Sequence, residues 1–349
     1  MVKQGLNSPA SNVSPDVTTY RSPLLDRPGA VAAAGVDAAV PAHFGDPFRE
    51  QRRLAGGNAK VDLSHREVVR ISGPDRLNWL HSLATQHLES LPPHEATTAL
   101  FLSPQGRVEH ALYAIDDGES FWAHVEPGTA AGLIKFLDSM RFMMRVEVAD
   151  VTSDYAVVWD SGQSDAGTDD LARVSDRGRE TFVPRADLDG FIGDAPAGIW
   201  AYEALRIAAH QPRFGFESDE RTIPHELGWI GTAVHLDKGC YRGQETVARV
   251  HTLGRPPRRL AMLHLDGSAE HLPPHGSEVT ADGRAVGYVG SVARHYELGT
   301  IALAVLKRNV PIDADLVADG VPATQEVIVD PEVGLHVRPT SAGASVVRR

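Results

Sequence analysis

Residues 238–245 have the sequence K-G-C-Y-R-G-Q-E, and this stretch is the most informative part of the chain for predicting its fold and chemistry. It encloses the chain's one cysteine, Cys240, between two glycines and two cations. Gly239 and Gly243 permit tight or left-handed backbone geometry and leave room for the close approach of a ligand. We therefore expect a tight loop that presents the cysteine to a binding partner.

The charges around Cys240 indicate a reactive thiol. Lys238 and Arg242 favour a thiolate, as does the positive end of a helix beginning near Gln244. A thiolate is the form of cysteine that acts as nucleophile, redox sensor or metal ligand. The alternative is a small buried hydrophobic side chain, which is what an isolated cysteine most often is. The candidate catalytic residues are Cys240, Lys238, Tyr241 and Arg242.

Upstream of this loop, hydrophobic periodicity predicts two mixed units. The first unit begins with a strand over 61–71 and a helix that starts near Leu77 and stops before Pro92. Strands follow over 97–102, 108–115 and 121–125, and a helix over 129–140 and a strand over 144–148 complete the unit. The second has a strand over 155–159, a polar surface hairpin or loop over 161–180 and a helix over 199–209.

Downstream of the loop, prolines 256 and 257 indicate a stiff linker. Short alternating strands follow over 260–265, 285–292, 300–305 and 326–329, which predicts a small barrel or sandwich. The resulting division is a mobile N-terminal tail over 1–42, a first α+β domain over 43–150, a second over 151–255 that carries the cysteine loop, and a C-terminal domain over 256–349 that is a β-barrel or a sandwich.

The net charge, the cysteine count and the apolar runs of the chain argue against several classes of function. The 349 residues carry a net charge of −12, which argues against direct nucleic-acid binding. One cysteine excludes an intramolecular disulfide and a self-contained cysteine-ligated iron–sulfur cluster. No apolar run is long enough to span a membrane, and the Ala- and Val-rich stretch 30–42 is a poor signal-peptide core. A free thiol suits a reducing compartment, so we expect a cytoplasmic protein without membrane association.

Three further segments accompany the cysteine loop in the order found in one known family. They are V-D-L-S-H-R-E-V-V-R-I-S-G-P-D-R-L-N-W-L at 61–80, the stretch 205–226 with P-R-F-G-F-E and D-E-R-T-I-P-H-E, and G-Y-V-G-S-V at 287–292. With K-G-C-Y-R-G-Q-E, the chain resembles the YgfZ family, which is similar in fold to the glycine-cleavage T-protein, an aminomethyltransferase. The resemblance implies an α+β fold with three domains in a ring around a folate-sized channel, the last a barrel.

The same resemblance implies tetrahydrofolate or a derivative as cofactor, and iron–sulfur proteins or their assembly machinery as partners. Two features of the T-protein are missing here. Its catalytic Asp-Asp pair is replaced at Glu109 and His110, and its pterin-binding Glu falls at Ala208. Glu203 lies roughly 140° around the helix from Ala208 and is not an obvious substitute. The candidate cofactor-binding residues are Gly239, Gly243, Gln244, Glu245, Glu217 and Glu226, with Arg213 and Arg249 for an anionic tail.

Three functions remain open. The first is a tetrahydrofolate-binding accessory protein that assembles or maintains iron–sulfur enzymes through Cys240. The second is a folate-dependent one-carbon transferase with Glu109 or His110 as acid–base group. The third is a non-catalytic binding or scaffold protein. His225, His235 and His251 surround the cysteine, but their spacing fits no zinc pattern, so no stably bound metal is expected.

Overall fold

The computed structural model describes residues 20–162 and 171–335. Two five-stranded sheets with attached helices precede a closed barrel, which confirms the predicted α+β class with a C-terminal β-barrel. The helices are α1 (Pro47–Ala55), α2 (Arg76–Leu83), α3 (Ala130–Met140), α4 (Leu188–Ile192), α5 (Ile199–Ala208) and α6 (Gln244–Leu253).

The first sheet is antiparallel and follows the predicted order of strand, helix, three strands, helix and strand. Its spatial order is β5 (Thr97–Leu102), β6 (Val108–Asp116), β7 (Ser120–Val125), β4 (Glu67–Ser72) and β8 (Glu147–Asp150). Helices α2 and α3 cover one face, where Trp79, Leu80, Leu133 and Leu137 are buried against the strands. Burial of these side chains is the main favourable contribution to the stability of this layer.

The predicted strand over 61–71 is wrong as a single element. The chain forms β3 (Lys60–Asp62), turns, and continues as β4. The Asp62 carboxylate accepts a hydrogen bond from the Ser64 N–H at 2.8 Å, a local turn that competes with extended pairing. Because β3 belongs to the second sheet and β4 to the first, this turn joins the two layers.

The second sheet has the order β10 (Ala172–Ser175), β11 (Gly178–Pro184), β9 (Tyr155–Asp160), β3 and β12 (Pro196–Ala197). Only the β3–β12 pair within it is parallel. Part of the predicted surface loop over 161–180 is the β10–β11 hairpin, and residues 163–170 lie outside the described range. Helix α5 packs between this sheet and the barrel.

The predicted mobile tail over 1–42 is wrong from residue 20 onward, and residues 1–19 lie outside the described range. Residues 20–43 form the small ribbon β1 (Val31–Ala32) and β2 (Pro41–His43). Leu24 is fully buried against Val158 and Val183 of the second sheet. Ser22 donates a hydrogen bond to the Asp62 carboxylate. Few apolar residues anchor this segment, so its sequence has no periodicity to indicate order.

The barrel closes in the order β13 (Arg258–Leu265), β16 (Gly299–Lys307), β15 (Arg284–His295), β14 (Glu278–Ala281), β17 (Leu316–Ala318) and β18 (Val321–Val327). Its interior is filled by small aliphatic side chains such as Ala261, Leu263, Val279 and Leu316. Over residues 20–162 and 171–335, no helix has both the length and the apolar character needed to cross a membrane.

Candidate functional site

The cysteine loop, residues 238–243, is fixed to the first domain at its start. The Lys238 ammonium is buried and donates hydrogen bonds to the backbone carbonyl of His81 and, at 2.5 Å, to that of Ala84. These carbonyls belong to the open C-terminal end of α2, where a cation is favoured. Burial lowers the pKa of Lys238 to about 8. The ammonium therefore anchors the loop to α2 instead of serving the thiol.

The end of the loop is fixed by close backbone packing. Gly243 has φ +84° and caps the start of α6. A Cβ at this position would lie 2.6 Å from the Ser103 carbonyl oxygen and 2.9 Å from the Cα of Gly106. Only glycine permits both the left-handed backbone and this approach. The loop therefore sits against the turn that leads into β6, which carries Glu109 and His110.

Tyr241 is a structural member of the loop. Its side chain is buried in an apolar cluster with Leu100 and Val247, and its ring centroid lies 5.0 Å from the Lys238 ammonium. Burial raises the pKa of Tyr241 to about 12, so the phenol keeps its proton at neutral pH. The predicted helix after Gly243 is present as α6. The Gln244 side chain donates a long hydrogen bond of 3.4 Å to the Lys238 carbonyl.

Cys240 itself is exposed. The second cation expected beside it, Arg242, forms an ion pair with Glu109 at 3.0 Å and lies over the Phe136 ring. Both predicted cations are thus engaged with other groups. Gly239 has nothing within 4 Å of the position of an added Cβ, and Glu245 and Arg249 are exposed. The arrangement presents one accessible sulfur on a rigid loop.

His110 lies next to this loop but is poorly suited to carry a proton at neutral pH. Its ring packs 5.9 Å from that of Phe136 and close to Gly132. Burial lowers the pKa of His110 to about 4, so the imidazole is neutral at pH 7.

The carboxylates and the arginine predicted to bind a pterin and an anionic tail are enclosed. Glu226 is fully buried and pairs with Arg258 at 2.8 Å. Glu217 is fully buried and accepts a hydrogen bond from the Arg213 N–H at 2.6 Å. The Arg213 side chain is 1% exposed and bonded on all sides to carboxylates. Among the described residues, Glu217 and Glu226 line none of the cavities, whereas the buried Arg213 lies at the edge of a cavity of about 440 Å³ beside α5.

Arg213 belongs to a buried network of ion pairs, here called the hub. Its guanidinium contacts Glu126 at 2.7 Å, Asp37 at 2.7 Å and Glu203 at 3.7 Å. These partners come from the end of β7, the N-terminal segment and α5. Burial alone would raise the pKa of Asp37, but hydrogen bonds from His65 and Arg213 hold this pKa well below its usual range. The arginines and carboxylates of the hub are Asp37, Arg66, Glu126, Arg173, Glu180, Glu203, Arg206, Arg213 and Glu217, and His65 and His124 contact Asp37 and Glu180.

The hub is densely charged and leaves little open space. Among the described residues it holds four guanidiniums and five carboxylates, and burial raises the pKa of Glu217. The space that remains between these side chains is about 20 Å³. Small-molecule sites usually offer about 300–1,000 Å³. A folate-sized ligand therefore does not fit between these side chains in this conformation.

A larger cavity, here the α5 cavity, lies beside the hub between α1, α5 and barrel strand β15. It measures about 440 Å³. Phe48, Trp200 and Phe216 form aromatic walls, and its floor carries Asp37 and Glu203, which are 14% and 13% exposed. None of these residues was predicted from the sequence as a site residue. The one feature that could have indicated the cavity is Trp200, a large apolar side chain that is exposed in the first turn of a helix.

The three histidines that surround Cys240 in sequence do not converge. The rings of His225 and His251 are 6.2 Å apart, while His235 lies instead beside His87, at 5.4 Å.

Part of the chain matches a known domain family, and a solved structure shares its fold. The model of the CAF17 C-terminal beta-barrel domain matches residues 258–328. The solved structure of glycine cleavage system aminomethyltransferase T from Bartonella henselae superposes with a TM-score of 0.74 over 89% of this chain and 97% of that one, at 16% identity. This likeness shows that the two share a fold.

Curated relatives agree with that fold. A putative chloroplastic transferase of Arabidopsis thaliana is 28% identical over 70% of this chain, and the match spans only 65% of that relative's length. Aminomethyltransferase of Thermotoga maritima is 24% identical over 85% of this chain and 92% of its own. The mitochondrial iron-sulfur cluster assembly factor IBA57 homolog of Mycosarcoma maydis is 27% identical over 58% of this chain and 56% of its own.

Proposed function

We propose a function from the premise that this chain belongs to the YgfZ/CAF17-type branch of the aminomethyltransferase-like superfamily. We infer that it takes part in the assembly or maintenance of iron–sulfur enzymes. The observation that carries this inference is an exposed Cys240 on a loop anchored at both ends. Similarity to an iron-sulfur cluster assembly factor supports the same role.

The working group in this proposal is the Cys240 sulfur. A lone cysteine supplies one ligand, so a cluster bound there needs further ligands from a partner protein. The anchored backbone holds the sulfur in one place, which lowers the ordering cost of such a contact. Lys238, Tyr241 and Arg242 position the loop, through α2, the apolar core and Glu109 respectively.

Tetrahydrofolate or a derivative is the proposed cofactor, and the α5 cavity is where we place it. Its volume of about 440 Å³ lies within the usual range for small ligands. Phe48, Trp200 and Phe216 offer faces for a flat ring. Carboxylates have spare acceptor lone pairs, so Asp37 and Glu203 suit the adjacent N–H donors of a pterin. When bound, the folate would supply one-carbon chemistry.

Calorimetric titration with tetrahydrofolate tests this placement. We expect Trp200→Ala to weaken binding about tenfold or more, since an aromatic stacking contact and its buried area are lost. Val317→Ala, which shortens an exposed aliphatic side chain of the barrel away from this cavity, serves as control. Unchanged affinity in Trp200→Ala would place the folate elsewhere, and absence of heat with the wild type would favour a scaffold without folate.

The iron–sulfur role is tested in a strain that lacks the chain. We expect lower activity of iron–sulfur enzymes and unchanged activity of enzymes without clusters, with both restored to their normal ratio by the wild-type gene. Equal loss in the two classes would contradict a role in cluster assembly.

A folate-dependent one-carbon transferase is the second candidate. Its acid–base group would be Glu109 or His110, but Glu109 is ion-paired and His110 is neutral at pH 7. No turnover of tetrahydrofolate across a panel of amine and aminomethyl donors is therefore expected from the purified protein.

A further inference from the structure

The loop that leads to Cys240 runs along the segment that follows α2. The Thr85 hydroxyl donates a hydrogen bond to the Ala233 carbonyl at 2.7 Å, and the His235 N–H donates to the Thr85 carbonyl at 3.0 Å. The Gln86 side chain donates to the Thr232 carbonyl at 3.1 Å. These bonds fix His235 next to the turn that carries His87.

Three imidazoles and a carboxylate meet where these two segments touch. The His81 and His87 ring centroids are 4.8 Å apart in an edge-to-face arrangement, and His235 lies 5.4 Å from His87. The Glu89 carboxylate is 3.7 Å from Nε2 of His87. One ligand atom each from His81, His87 and Glu89 all lie within 4.8 Å of one another. We call these four residues the histidine cluster.

We propose that the histidine cluster is a binding site for a divalent transition-metal ion, with His81, His87 and Glu89 as protein ligands. Imidazole and carboxylate groups together suit Zn²⁺ and its first-row neighbours. Three protein ligands leave an open coordination position. The His235 ring lies beside this group, 5.4 Å from that of His87, and its backbone is fixed to Thr85.

The cleft beside the histidine cluster suits the open coordination position to an anionic ligand. His87 and His235 line a polar cleft of about 470 Å³ that also contains Arg173 and Arg177. An ion at the cluster would therefore face a cleft in which the Arg177 guanidinium can hold an anionic ligand. This site does not depend on the role proposed for Cys240 or on folate.

Metal binding requires a change in the hydrogen bonds of His81. This change can be measured independently of the binding heat. Nδ1 of His81 accepts hydrogen bonds from the amides of Leu88 and Glu89, at 3.2 and 3.4 Å. A metal on Nδ1 displaces these bonds, and a metal on Nε2 places the ring proton on Nδ1. Both modes break the two bonds, so the metal should speed hydrogen exchange of these amides.

The test is a calorimetric titration of ZnCl₂ into the tag-free, metal-free full chain. We expect one equivalent to bind the wild type, and His87→Gln and Glu89→Gln each to bind about tenfold more weakly or worse. The control is His264→Gln. His264 and His210 contact the two oxygens of Glu326, but among the described residues these two histidines and the glutamate do not form a group of ligand atoms that could hold one metal ion.

A Cys240→Ser variant separates the cluster from the thiol. We expect it to bind Zn²⁺ as the wild type does. Loss of binding in Cys240→Ser with retention in Glu89→Gln would assign the metal to the sulfur and overturn the proposal, as would no heat with the wild type. Glu89 is half-exposed, so its conversion to Gln keeps the test valid even if His87→Gln folds poorly.

Discussion

At the scale of single residues, the backbone around Cys240 is held more firmly than its side chain. Lys238 is bound to α2, Arg242 to Glu109, and Tyr241 is buried. The sequence identified each of these residues correctly as a member of the loop, but assigned the two cations to the thiol. Which acceptor a cation meets depends on tertiary contacts, here with α2 and β6, that lie more than a hundred residues away in the chain.

Replacing Lys238 tests its structural role. We expect Lys238→Met to lower the free energy of unfolding by about 1.5–3 kcal/mol, because it removes charge-assisted hydrogen bonds to the end of α2. Lys135→Met, on the exposed face of α3, should change stability by less than about 0.5 kcal/mol. Urea denaturation of both variants measures the difference. Equal stability of the two variants would mean that the ammonium does not anchor the loop.

His110 gives the chain a specific sensitivity to acid. Its pKa is about 4 in the folded protein and about 6.5 in an unfolded chain, so unfolding takes up a proton between these values. Its contribution to stability is complete above pH 6.5 and is lost as the pH falls toward 4. We expect the melting temperature of His110→Gln to fall less steeply than that of the wild type over this window. Parallel curves would show that His110 is not the titrating group.

At the scale of elements, hydrophobic periodicity located strands and helices well where one face is buried. Helices α3 and α5 and strands β5, β6 and β7 agree with the predicted ranges to within about two residues. The failures occur where local hydrogen bonds or distant contacts decide the backbone. The turn at Asp62 interrupts the strand predicted over 61–71, and α2 ends at Leu83 because the following Thr85 pairs with Leu100 and Ala233.

The contact between the cysteine loop and the turn before β6 depends on glycine. We expect Gly243→Ala to destabilise the protein by at least about 1–2 kcal/mol, since alanine is strained at φ +84° and its Cβ would collide with the Ser103 carbonyl. Gly239→Ala is the matched control in the same loop, with open space at its Cβ position. Thermal unfolding compares them, and similar melting temperatures would contradict the close packing.

At the scale of the whole molecule, the hub joins the N-terminal segment, both sheets and α5 around Arg213. The three-part α+β architecture was predictable from element order and from the resemblance. The hub was not, because its members are spread from residue 37 to residue 217 and look like ordinary surface charges in the sequence. Because a folate-sized ligand does not fit between the hub side chains, the proposed ligand site is the α5 cavity.

Removing Arg213 tests the hub as a structural unit. We expect Arg213→Met to destabilise the protein by about 3–5 kcal/mol, because several carboxylates are left buried without their partner. Arg221→Met, whose side chain is 75% exposed, should be close to neutral. Denaturant unfolding monitored by tryptophan fluorescence measures both. A neutral Arg213→Met would mean that the buried carboxylates find other partners.

The thiol of Cys240 is the centre of the functional account, and its most direct test changes that atom alone. In a strain lacking the chain, iron–sulfur enzyme activity is measured after complementation with wild type, Cys240→Ser or Val317→Ala at equal protein levels. We predict restoration by wild type and Val317→Ala and none by Cys240→Ser, since the exposed serine keeps the fold and loses the sulfur. Full restoration by Cys240→Ser would contradict the account.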